Sequence, residues 1–230
     1  MEIFTFLFYT ILYKPLFNLL IIIYYFLPPH DLGISIIALT LIVKIILYPV
    51  TLKSLISQKK MSELQPKIRE IQKKYKDQKE KQAKALMELY KKEKINPFSG
   101  CLPLLIQLPI LIALLKVFWG GISPQSMINL YSFVPQIKEI PPLFLGLLDL
   151  SKPSIFLALI AGISQYFQTR QTSQFSLEKE KEISQVFQKQ MLYFFPFFTF
   201  LILLKIPAAV ALYWITSTFF TIFQYYLLSK

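Results

Sequence analysis

Five stretches of this 230-residue chain stay apolar for close to the length a helix needs to cross hydrocarbon. A bilayer core about 30 Å thick asks for about 20 residues at about 1.5 Å each. The stretches are residues 33–57, 96–120, 153–170, 191–206 and 207–230. Hydrophobic residues make up 54% of the chain and charged residues 17%, against about 25% charged in soluble domains. With 21 Phe and 13 Tyr, the composition points to lipid as the solvent. It argues against an ordinary soluble enzyme, a disulfide-stapled secreted module and a disordered chain. One Cys and one His leave no intrachain disulfide and no multi-His or multi-Cys metal site.

The last two stretches divide near Pro207, which cannot continue a regular helix without losing a hydrogen bond. One long kinked helix is the alternative. A fourth span of about 16 residues covers only about 24 Å and calls for local thinning of the bilayer.

Charge sets the sides. Between Lys53 and Lys94 there are 14 Lys/Arg and 6 Asp/Glu, so +8 of the net +12 lies in one polar segment. Placed between apolar runs, it reads as a cytoplasmic loop over residues 58–95 rather than a nucleic-acid site. The loop 171–190 follows on the same side, with Lys179, Lys181 and Lys189 beside Arg170. The loop 121–152, with Lys138 and Lys152 opposed by Glu139 and Asp149, falls outside.

Within 58–95, Ile68, Ile71 and Tyr75 recur at helical spacing, as do Ala83, Leu86, Met87 and Tyr90. The polar break Lys76-Asp77-Gln78-Lys79 makes them a helical hairpin; a solvated loop of weak helicity is the bland alternative. Residues 1–32 allow two readings. Residues 3–27 are nearly all apolar but interrupted by Lys14, Pro15 and Asn18. They form either a sixth span or a helix in the outer interface, kinked at Pro15.

Lys44 is the sharpest feature. It lies about 16 Å into the first span, and a Lys stem of about 6 Å cannot bring the ammonium to bulk water. A charge at that depth costs about 2.5–3.5 kcal/mol on the lenient insertion scale. No Asp or Glu lies deep in any expected span. The ammonium is therefore hydrated in a cavity, satisfied by hydroxyls and carbonyls, or met by an acidic group brought from elsewhere. Thr40, Lys44 and Tyr48 are four apart and share one helix face. Gln107 interrupts the second span. Tyr213, Ser217, Thr221 and Gln224 form a stripe on the last, with Trp214 beside it. Singly these are ordinary interhelical bonds; together they outline a hydrophilic groove. No HExxH, GxSxG, P-loop or GxGxxG is present, so neither an enzyme nor a cofactor or metal is expected.

The run GISIIALTLIVKIILYPVT (33–51) resembles the YidC/Oxa membrane protein insertases. So do LQPKI (64–68), MELYK (87–91), INP (95–97), GCLPLLIQLPI (100–110), Pro207-Ala208 and Leu212-Tyr213-Trp214. Order and spacing agree across roughly residues 12–228, and the Asn-Pro to Gln-Leu-Pro block is the most specific part. The resemblance implies an all-α polytopic membrane protein. Its core would be five transmembrane helices with a cytoplasmic helical hairpin (58–95) and an N-terminal interfacial helix. It implies a positively charged groove receiving hydrophilic parts of nascent membrane proteins. The family's basic residue, usually Arg, falls on Lys44, the groove glutamine on Gln107 and the last-helix aromatic on Trp214. A substrate slide would include Leu108, Leu111 and Tyr213. A bacterial plasma membrane location is implied. The partners implied are the bilayer and, through the cytoplasmic loops, the ribosome and the Sec translocon, with no specific nucleic acid. Lys in place of Arg departs from the pattern, since Lys can lose its proton when buried. With neither a large external domain nor a basic tail, the chain resembles the short, core-only forms. The rival reading is a small-molecule or ion transporter with a lone intramembrane Lys.

Overall fold

The computed structural model describes residues 2–96, 102–119, 126–137, 139–173 and 183–229. Residues 97–101, 120–125, Lys138 and residues 174–182 of the loop 171–190 lie outside the described residues. In chain order the elements are α1 (Glu2–Phe8), a π turn (Tyr9–Tyr13), α2 (Lys14–Phe26), α3 (Leu32–Ile46) and α4 (Tyr48–Glu63). Then come α5 (Gln65–Lys74), α6 (Lys79–Lys92), α7 (Leu102–Trp119) and a short 3-10 turn (Ser126–Asn129). A two-stranded hairpin, β1 (Leu143–Phe144) and β2 (Leu148–Asp149), precedes α8 (Ile155–Ser173), α9 (Ile183–Leu203) and α10 (Ala208–Ser229).

The first span departs from the expected single helix. Asp31 starts α3 by accepting from the Ile34 N–H at 2.9 Å. The helix then breaks at Leu47, and α3 and α4 meet at 69°. Pro49 supplies the cause: it has no N–H for the Ile45 carbonyl, and its ring crowds that carbonyl. Beyond the bend, α4 runs on to Glu63, past the expected boundary at 57. At Pro15 the helix continues instead of kinking. The π turn ahead of it widens the coil where the proline ring would meet the Ile11 carbonyl. Near Pro207 the chain does divide, α9 ending at Leu203 and α10 starting at Ala208.

By length and hydropathy, Thr5–Phe26 is long enough to cross a membrane on its own among the described residues. Leu32–Ile46 and Tyr48–Met61 qualify only as a bent pair, while Leu105–Trp119 and Leu192–Leu203 are shorter apolar helices. Five full spans are therefore not evident by this measure. Interruptions such as Ser217, Thr218 and Gln224 on α10 lower the mean hydropathy of the rest.

Helix α8 packs against both α9 and α10, and α10 also lies against α3 and α7. Small buried residues bring these helices close: Ala158 and Ala161 on α8, and Ala208, Ala209 and Ala211 on α10. At Gly162 an added Cβ would sit 3.2 Å from the Pro196 carbonyl oxygen. The outer faces carry large apolar side chains, among them Leu105 and Ile112 on α7, Phe156 and Phe167 on α8, Phe197 and Leu201 on α9, and Phe219 and Phe223 on α10. Such a coat is ordinary only against lipid.

The ends of the bundle are held separately. Ala208 and Ala209 donate to the carbonyls of Lys152 and Leu150, at 2.9 and 3.1 Å. At the opposite end Lys59 Nζ donates to the Leu228 carbonyl at 3.2 Å. Helices α5 and α6 fold against each other there, with Leu64, Ile68 and Ile95 packed on Leu86, Leu89 and Tyr90.

Candidate functional site

Helix α10 gathers the polar groups of the bundle. Lys44 is 8% exposed and its ammonium donates to Thr221 Oγ1 at 3.4 Å. The Thr221 hydroxyl in turn donates to the Ser217 carbonyl at 3.0 Å. No carboxylate meets Lys44 among the described residues. One turn further on, Gln224 Nε2 donates to Thr51 Oγ1 of α4 at 3.3 Å. Toward the other end, Gln107 of α7 donates to the Tyr213 hydroxyl, and Trp214 Nε1 donates to Gln165 Oε1 of α8 at 2.9 Å. Thr221, Gln224, Tyr213 and Trp214 thus tie α10 to α3, α4, α7 and α8 respectively.

Of the residues singled out in the sequence, Lys44, Gln107, Tyr213, Trp214 and Ser217 are brought to this helix or its contacts. Thr40 is buried and spends its hydroxyl on the Ile36 carbonyl at 2.6 Å. Tyr48 does not share their face: the break at Leu47 intervenes, and Tyr48 is exposed. Leu108 is exposed and Leu111 half-buried. Tyr213, expected on an exposed slide face, is instead 2% exposed. It sits where α10 is enclosed by its neighbours, and its hydroxyl is engaged by Gln107.

Thr51 is a polar contact that the sequence reading does not select, although it follows Lys44 by seven residues, two helical turns. Asn18 is a second omission. Buried near the middle of the N-terminal helix, it donates to the Asn129 carbonyl at 3.0 Å and accepts from the Tyr131 N–H at 2.7 Å. Tyr9 donates to Asn129 Oδ1. A lone Asn in an apolar run gives a signal, but not its partner.

An apolar coat around a polar central helix and one buried cation define a helical membrane protein with hydrophilic groups gathered inside its bundle. The chain belongs to the 60Kd inner membrane protein family, whose profile matches residues 22–230. The membrane protein insertase YidC of Buchnera aphidicola subsp. Schizaphis graminum is 37% identical over 220 residues, covering 94% of this chain and 37% of that protein. The YidC of Fusobacterium nucleatum subsp. nucleatum is 36% identical over 200 residues, 87% of either chain. The crystal structure of an active YidC insertase with its first transmembrane domain resolved matches with a TM-score of 0.60 at 30% identity, over 94% of this chain and 46% of that one. The chain thus spans little more than a third of its longer relative, 37%. The resemblance to the YidC/Oxa insertases is borne out.

Proposed function

We propose that the protein is a membrane protein insertase of the bacterial plasma membrane, working without covalent catalysis. The observation that carries this reading is Lys44, a buried cation whose bonding partner is a hydroxyl and not a carboxylate. Moving a hydrophilic polypeptide segment through hydrocarbon costs several kcal/mol for each unsatisfied polar group, roughly. Hydroxyls and amides on α10, with a positive charge among them, shorten the apolar path. Lys44 attracts acidic residues of the arriving segment, and the membrane potential draws negative charge outward. The client's apolar helix then leaves into lipid past the exposed face of α7, with Leu105, Leu108 and Ile112 on it. No nucleotide site is required.

The five-span arrangement, with both basic loops cytoplasmic, belongs to the same proposal. It is supported by the two ends of the bundle. Segment 148–152 meets the start of α10, whereas Lys59 meets its far end. The interfacial reading of residues 1–27 has support too. Tyr9 and Asn18 bond to Asn129 and Tyr131, and beyond the other end of that helix Asp31 accepts from the Leu145 N–H at 2.6 Å. Both contacts fall on the single connection 121–152. A helix crossing the bilayer from residue 8 to residue 26 would separate its ends by about 27 Å onto opposite faces.

The test is insertion by the purified protein in liposomes. A client with a short acidic tail should become protected from added protease only when the protein is present. Absence of protection, with flux of a small charged solute instead, would replace the insertase reading by the transporter reading.

A further inference from the structure

The seam between α4 and α10 is incompletely bonded. Helix α4 turns Thr51, Ser54 and Leu55 inward, two of them polar, while Val50, Lys53 and Ile56 face out. Among the described residues, bonds across the seam include Gln224 to Thr51 at 3.3 Å and Lys59 to the Leu228 carbonyl at 3.2 Å. Both are at the long end of the hydrogen-bond range. Gln224 Oε1 and the Tyr225 hydroxyl are buried without a hydrogen-bond partner among the described residues, in side chains 2% and 4% exposed. A permanently closed, dry seam would leave these groups desolvated and unbonded, which native structures rarely tolerate.

A hinge stands at the head of the same helix. The chain breaks at Leu47, where Pro49 denies the Ile45 carbonyl its helical donor, and α4 departs at 69°. Past the hinge, α4 touches α10, α7 and α8 only sparsely. Thr221, one turn before Gln224, holds Lys44, so the seam leads directly to the buried cation.

We infer that α4 is a hinged wall that swings about Leu47, opening the α4–α10 seam to a client's hydrophilic segment, which first bonds to Gln224 and Tyr225. The inference rests on the insertase reading for the identity of the segment. Opening exposes the two orphaned groups to water or to the backbone of the arriving chain. Closing restores the Thr51 and Lys59 bonds. The hinge at Leu47 lies between Lys44 and the seam, so the wall moves without displacing α3.

The experiment measures the wall directly. Nitroxide labels are placed at Ile56→Cys and Leu227→Cys, both exposed positions, in a Cys101→Ser background in liposomes, and their separation is read by pulsed electron paramagnetic resonance. The expected result is two distances. The longer population should grow at least twofold when a peptide with an acidic hydrophilic tail is added. Pro49→Ala should collapse the distribution to one. A single narrow distance, unmoved by the peptide, overturns the inference, and so does a Pro49→Ala protein that keeps both. Insertion is assayed on the same labelled protein. Two distances without insertion leave the hinge standing and remove the insertase reading. Insertion with one fixed distance removes only the hinge.

Discussion

The Lys44 ammonium lies 3.4 Å from the Thr221 hydroxyl, which is itself bonded to the Ser217 carbonyl. A buried cation held by one long neutral bond is poorly compensated, and removing it should relieve the fold rather than harm it. Lys44→Met, similar in length and apolar, is expected to melt at the same temperature as the parent or a few degrees higher. Insertion of clients with acidic tails should fall by about tenfold, the equivalent of about 1.4 kcal/mol. Thermal melting in detergent and the liposome assay check the two halves.

The Gln107–Tyr213 bond joins α7 to α10 inside the bundle. Tyr213→Phe leaves the Gln107 amide without this partner and should cost about 1–3 kcal/mol. Adding Gln107→Leu removes the stranded amide and should recover part of the loss. A double-mutant cycle by urea or heat is the measurement, with a coupling of about 0.5–1.5 kcal/mol expected.

Asn18 holds the connection after α7 through the Asn129 carbonyl and the Tyr131 N–H. Asn18→Leu strands both groups. Amide hydrogen exchange over residues 129–131 should accelerate by about an order of magnitude, as a loss of about 1.4 kcal/mol of local stability implies. Exchange in α8 should stay unchanged.

The α5–α6 hairpin should loosen in acid. Lys67 bonds to Glu93 at 2.7 Å and holds its carboxyl below the usual value of 4.5. A depressed acid stabilises above its unfolded pKa, and that contribution is lost as pH falls through the folded one. Hairpin order, followed by fluorescence between labels on α5 and α6, should therefore hold at pH 6 and decline below about pH 4.5. High salt should weaken it at any pH, since the pair is exposed to solvent.

Much of the polar interior is legible in the sequence, for a simple reason. Hydroxyls and amides at three- and four-residue spacing stand out in an apolar run, and Lys44 stands out most. The hairpin is legible as well, because Ile68 and Tyr90 sit on opposite sides of a polar break. Other features depend on where the chain goes in space. Pro49 lies inside an apolar stretch that reads as one span, and only the direction of α4 reveals its effect. The exposed position of Tyr48 follows from that bend. Pro15 reads as a kink because a π turn leaves no mark in composition. The burial of Tyr213 depends on how many helices surround α10, which periodicity within α10 does not state.

The central claim is that Lys44 meets water and client from the cytoplasmic side. The most direct measurement places the only cysteine at position 44, with Cys101→Ser, and labels membranes from either side with an impermeant thiol reagent. A matched variant with a small neutral residue at Thr40 controls for damage to the helix. The account predicts labelling from the cytoplasm and none from outside. Labelling from both sides, or from neither in folded protein, would contradict it.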